Sequence, residues 1–223
     1  MPSLISWVRS YGPYVRSKPF LKSLAWGILF LVVGIVITYF AIVYATQSAS
    51  NSVTDIILSN IPVFDVDGIF VWGPVIFWVL AAGYVFLRPR TMPFTLKAIG
   101  LFLVIRSFFV VLTHIQPFPA HVHIDISTGI SGVFMSGSDL FFSSHTGLPF
   151  LMALVFWDDV YMRIFSIIAS IFFGAIVLMA HLHYSIDVFA AFFITYTIFH
   201  IARRWFKKDY VVFREGISST STS

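Results

Sequence analysis

Six long apolar runs, nearly free of charge, decide most of what this chain can become. The first, Leu24–Thr46, holds about 23 residues, enough at ~1.5 Å per helical residue to cross a ~30 Å hydrocarbon core. A signal-peptide core is shorter, about 7–15 residues, so this run reads as an uncleaved first span. Further runs follow at Ile69–Leu87, Leu96–Thr113, Ser144–Trp157, Ile164–Ala180 and Tyr184–Ala202. The fourth is short from Ser144 and reaches about 18 residues only if it begins at Leu140, close to the minimum for a span. The expected fold is an all-α integral membrane protein, a bundle of six transmembrane helices with both termini cytoplasmic. Residues 1–23 read as an interfacial cytoplasmic segment, 24–208 as the membrane domain and 209–223 as a disordered cytoplasmic tail.

Composition agrees with that class. Of the 223 residues 58% are hydrophobic and 11% charged, against about 25% charged in a soluble domain. The 26 phenylalanines suit lipid-facing surfaces, and Trp72, Trp78, Trp157 and Trp205 suit interfacial belts. There is no cysteine, which excludes disulfides and thiolate chemistry.

A net charge of +4 invites a nucleic-acid reading, but the placement of the charges argues against it. With six spans and the N-terminus inside, 13 of the 14 basic residues fall in inner segments: Arg9, Arg16, Lys18, Lys22, Arg88, Arg90, Lys97, Arg163, Arg203, Arg204, Lys207, Lys208 and Arg214. They are topology determinants under the positive-inside rule. The remaining one, Arg106, lies inside the third span, where an Arg costs about 2.5–3.5 kcal/mol to insert and needs a partner. Asp65, Asp139, Asp187 and a substrate phosphate are the candidates.

Chemistry concentrates at the outer ends of the fourth and sixth spans. His183 and Asp187 are four apart and share one helical face, so the carboxylate can hold one ring nitrogen and leave the other as base or nucleophile. Spans four and six run in the same direction, because span five returns between them. His145 and His183 therefore reach one membrane depth by topology alone. Helix N-termini there also favour a phosphate or another anion. A separate group, His121-x-His123-x-Asp125, has alternate spacing that suits metal ligands on a strand, but no further ligand set accompanies it. No metal and no cofactor are expected.

These residues resemble the phosphatidic-acid-phosphatase type 2 (PAP2) superfamily, and within it the sphingomyelin synthase branch. Gly137 to Thr146 follow that branch's third motif, with Asp139, Phe142, Ser143, His145 and Thr146 in place. His183-Tyr184-Ser185-Ile186-Asp187-Val188, followed by Phe192-Phe193-Ile194-Thr195, is similar to its fourth. Arg106 with Thr113 and Pro117-Phe118-Pro119 is similar to the second, and Pro62-Val63-Phe64-Asp65 echoes the first. The third motif's Cys and both its Gly become Gly137, Ser138 and Ser144, and the Arg of the soluble-headgroup phosphatases is replaced by Val177.

The resemblance implies transfer of a phosphocholine or phosphoethanolamine head group from a glycerophospholipid to a lipid hydroxyl such as ceramide. His183, held by Asp187, would attack phosphorus, and His145, oriented by Asp139, would serve as acid and then base. Arg106, Ser143, Tyr184 and Asp65 would bind substrate. The partners implied are membrane lipids, with self-association left open. A lipid phosphatase using water as acceptor would need the same residues. A transporter or scaffold would need a polar path that the spans lack outside Arg106 and the outer cluster.

Every loop bearing the histidines lacks Lys and Arg, so the active site is expected on the extracytoplasmic or lumenal face. In this cysteine-free chain a Ser127→Cys variant should react with an impermeant thiol reagent from that side. Labelling only from the cytoplasm would overturn the topology.

Overall fold

The computed structural model describes residues 11–122 and 140–217. Within them the chain is helical, in the order α1 (Lys18–Ser48), α2 (Asp67–Phe86), α3 (Met92–Leu112), α4 (Ser144–Val155), α5 (Val160–Met179), α6 (Ser185–Trp205) and α7 (Lys207–Glu215). Residues 11–16 are also helical, and short 3₁₀ turns stand at Leu58–Asn60 and Pro89–Thr91. Five of these helices, α1, α2, α3 with its leading turn, α5 and α6, are long and apolar enough to cross a membrane. That is the pattern of a multi-pass membrane protein.

The fourth run differs from expectation. It yields a 12-residue helix, about 18 Å long at ~1.5 Å per residue, shorter than a bilayer core. The reason lies just upstream, where Phe141 has a φ of 90°, a conformation that cannot continue a right-handed helix back to Leu140. At its other end, the Asp159 side chain accepts the N–H of Met162 and so caps α5, which fixes the turn. The short helix is the buried centre of the bundle. It packs on α5, α6 and α3, and from Leu151 to Val155 every residue is buried.

Close approach explains the packing on either side. α1 lies along α3, and a Cβ on Gly34 would stand 3.1 Å from the Gly100 carbonyl oxygen, so the missing side chain lets the two backbones touch. One turn further along, the hydroxyls of Thr38 and Ser107 meet at 3.0 Å. α4 is tied to α5 by the Ser170 hydroxyl, which donates to the Thr146 carbonyl at 2.7 Å. The outward faces of α1, α2 and α5 carry Val, Ile, Leu, Phe and Trp, as a surface against lipid requires.

Two boundaries are corrected. α1 begins at Lys18 rather than Leu24, because the Ser17 side chain accepts the Phe20 N–H and Pro19 suits a first turn. Residues 209–215, expected as disordered tail, belong to α7. Phe213 is buried against Phe94 and Phe156, Asp209 pairs with Lys97 at 2.6 Å, and Arg214 pairs with Asp158.

At Gly147 a Cβ would meet two carbons of the Phe102 ring at 2.8 Å and the Thr195 hydroxyl at 2.9 Å. Gly147→Ala should therefore cost about 1–3 kcal/mol by overpacking. Gly68→Ala, with nothing within 4 Å of the new carbon, should not destabilise. Thermal unfolding in detergent compares the two. Equal melting temperatures for both variants would refute the close packing of α4 on α3 and α6.

Candidate active site

The turn between α5 and α6 delivers one histidine. α5 ends in a Schellman motif: Leu182 N–H donates to Val177 O at 2.9 Å and His181 N–H to Leu178 O at 3.0 Å. His181 takes the left-handed position with a φ of 56°, where glycine is usual. Two residues later comes His183. Its Nδ1–H donates to Asp187 Oδ2 at 3.2 Å, and both residues are 3% exposed. The same carboxylate oxygen accepts the Tyr184 N–H at 3.1 Å, which satisfies a free donor at the start of α6. With Nδ1 carrying the proton toward the carboxylate, Nε2 is left with the lone pair.

The second histidine is attached to the first through backbone. Ser143 N–H donates to Asp187 O at 3.0 Å, so the residue preceding α4 is fastened to the first turn of α6. His145, in the first turn of α4, then lies with its ring 6.4 Å from that of His183, centre to centre. Its other side rests on Phe70 of α2, centres 4.6 Å apart and planes 34° apart. The two histidines, far apart in sequence, thus stand side by side. Reacting atoms need separations of roughly 3–3.5 Å, so imidazoles at this spacing can both reach one phosphoryl group placed between them.

Arg106 is buried, with 1% exposure, and its Nε–H donates to the Phe142 carbonyl at 3.1 Å. It thereby fixes the strand of chain that leads into Ser143 and His145. Among the described residues the two non-glycine residues with positive φ are Phe141 and His181. Each stands a few residues before one of the histidines. Strained backbone of this kind persists only where surrounding contacts over-determine it. Phe141 stacks on Phe109, centres 5.2 Å apart, and the His181 Nδ1–H donates to Ala120 O at 2.7 Å.

The other expected site residues fall in different places. Ser143 is fully buried, and its hydroxyl has no hydrogen-bond partner among the described residues. Tyr184 is buried and engaged: its hydroxyl donates to Gln116 O at 2.9 Å and accepts the Val53 N–H at 3.1 Å, tying two loops to α6. Asp65 is exposed and accepts the Asp67 N–H at 3.3 Å; the neighbouring Phe64 N–H donates to Met179 O, which places this segment beside the end of α5. Asp139, like His123 and Asp125, lies outside the described residues. Among the described residues no group of three or more His, Asp or Glu could hold a metal.

Asp55 was not foreseen. It sits 130 residues before Ser185 in sequence, yet its Oδ2 accepts both the backbone N–H and the hydroxyl of Ser185, at 2.7 and 2.8 Å. Its Oδ1 accepts the N–H groups of Ile57 and Leu58. The carboxylate thus caps α6, which carries Asp187 and begins two residues after His183, the favourable place for a negative charge. Burial pushes its pKa up, but the hydrogen bonds from Leu58, Ser185 and Ile57 outweigh burial and hold it below the usual carboxylate range.

With this geometry in hand, residues 137–204 match the family described as PAP2 superfamily C-terminal. The matched segment contains both histidines, Asp187 and the helices that position them. It covers fewer than half of the residues and supports membership of the PAP2 superfamily. No curated protein and no solved structure matches the chain.

Because the folded-state pKa of Asp55 is depressed, its contribution to stability is complete above the unfolded carboxyl value of about 3.9. That contribution is lost as pH falls through the lower folded value. Asp55→Asn should cost about 1–2 kcal/mol near neutrality, the scale of a lost helix cap. The gap to the parent protein should narrow as pH falls below about 4. Unfolding midpoints across pH measure it; a gap independent of pH would refute the charged cap.

Proposed function

We propose that this protein is a membrane lipid phosphotransferase that moves a phospho-alcohol head group from a glycerophospholipid to a lipid hydroxyl such as ceramide. The observation that carries the reading is the facing pair of imidazoles, 6.4 Å apart, one of them held through Nδ1 by a buried aspartate. That arrangement matches nucleophilic catalysis with a separate acid–base partner. In the first step Nε2 of His183 attacks phosphorus, and the phosphorus–oxygen bond to diacylglycerol breaks. His145 gives its proton to the departing alkoxide. In the second step the acceptor hydroxyl loses its proton to His145 and attacks phosphorus, and the phosphorus–nitrogen bond breaks. His183 and His145 both return to their starting forms.

Asp187 stabilises the positive charge that grows on the His183 ring and keeps the free lone pair on Nε2. Arg106 and the first turns of α4 and α6 supply positive potential for the phosphate oxygens. Ser143 lies at the start of α4, where its hydroxyl suits an additional contact to substrate, and Asp139 is proposed to orient His145. Asp65, at the same end of the bundle, is proposed to meet the head group. The absence of Lys and Arg from the histidine-bearing loops supports an extracytoplasmic or lumenal site.

Hydrolysis would use the same residues with water in place of the lipid hydroxyl. Product identity separates the two. Purified protein incubated with phospholipid labelled in its head group, with and without ceramide, should convert ceramide to its head-group-bearing product. Release of the free phospho-alcohol alone, unaffected by ceramide, would contradict transfer.

His183→Ala, His145→Ala and Asp187→Asn should each lower turnover by about 10²-fold or more while folding is kept. Asparagine at 187 can still accept the Tyr184 N–H, so the helix start survives and only the charge behind His183 is lost. Full turnover by Asp187→Asn at parent expression would sink the assigned triad.

A further inference from the structure

The end of the bundle opposite the histidines holds a feature that the proposed reaction does not use. A cavity of about 860 Å³ opens between α1, α3 and α7. Its lining includes Lys22, Lys97, Lys207 and Lys208, with Asp209 the one acidic member. Asp209 is already engaged: it accepts from Lys97 Nζ at 2.6 Å and from the Ser23 hydroxyl, and Lys97 also donates to Ser23 at 2.7 Å. That closed set forms the floor and is electrically balanced. Lys22, Lys207 and Lys208 are exposed and have no ion-pair partner among the described residues. Three uncompensated ammonium groups therefore converge on one concave surface, which favours an anion there.

The α1 surface beside it has the complementary apolar character. Lys22, Trp26, Leu29 and Val33 recur at helical spacing, so they form one stripe running from the charged end toward the middle of the span. Trp26, Leu29 and Val33 are 57%, 49% and 42% exposed. A tryptophan between a lysine and an aliphatic track is the order met on passing from head group to acyl chain.

We propose that this cavity binds an anionic phospholipid, with its phosphate on Lys22, Lys207 and Lys208 and an acyl chain along Trp26, Leu29 and Val33. A soluble phosphate would use the lysines and leave the stripe idle. The lipid uses both, and this is the reason for committing to it. Bound there, it would bridge α1 to α7 and so fasten the C-terminal helix to the bundle.

The test uses the full chain in mixed micelles of phosphatidylcholine and phosphatidylglycerol, with retained lipids counted by native mass spectrometry. The parent protein should retain phosphatidylglycerol in preference. Lys22→Gln with Lys208→Gln should lower that preference at least about five-fold, since each lysine near anionic lipid matters by about that factor. Arg90→Gln with Arg204→Gln removes the same charge outside the cavity lining and should keep it. Equal losses in both double variants would show a diffuse charge effect and overturn the site. Leu29→Gln with Val33→Gln should also weaken retention, and no effect would overturn the acyl track. Displacement of the lipid by excess inorganic phosphate would overturn the commitment to lipid.

Discussion

Asp187 is the junction on which the site depends. Its carboxylate accepts the His183 ring N–H and the Tyr184 backbone N–H, while its carbonyl accepts the N–H of Ser143. A buried carboxylate is costly unless hydrogen-bonded, and these donors, with the imidazole, answer that cost. The same residue that polarises one histidine thus sets the distance to the other. Neither α4 nor α6 could slide by a turn without breaking both the backbone tie and the carboxylate contacts.

Around that junction the chain separates two environments. The middle of the bundle is packed apolar helix, with the short α4 enclosed by α3, α5 and α6. Above it, polar backbone from residues 49–66 and 113–122 is gathered on the first turn of α6 by Asp55 and the Tyr184 hydroxyl. His181 adds a third fastening, because its ring reaches Ala120 while its backbone turns the end of α5. Rigid support of this kind holds catalytic groups within the small tolerances that chemistry needs. The match of residues 137–204 to the PAP2 superfamily C-terminal family is consistent with the proposed chemistry on phosphorus-containing groups.

Much of this was legible from sequence for simple reasons. Span length follows from bilayer thickness and can be read locally. The His183–Asp187 contact was expected on one helical face, but His183 precedes α6 and Asp187 reaches back to it from the first turn. That His145 and His183 come together could be expected from the direction of successive apolar runs. Other features depend on long-range contacts. Asp55 caps a helix 130 residues away, and nothing in its own loop announces that partner. α4 stops short because Phe141 adopts a left-handed conformation that its residue type disfavours. In α7, nine residues with few apolar positions read as tail until Phe213 is seen buried against Phe94 and Phe156. Tyr184 sits in a motif associated with substrate, yet its hydroxyl is engaged by two loop backbones.

The central claim is that His183 forms a bond to phosphorus. The direct measurement is to mix the purified protein with phospholipid radiolabelled at its phosphate, without acceptor, and quench rapidly in base. Digestion then maps the label. The account predicts a base-stable, acid-labile label on the peptide carrying His183, absent in His183→Ala and discharged when ceramide is added before the quench. Turnover with no label on the protein at any quench time, or label carried by His145 instead, would contradict it.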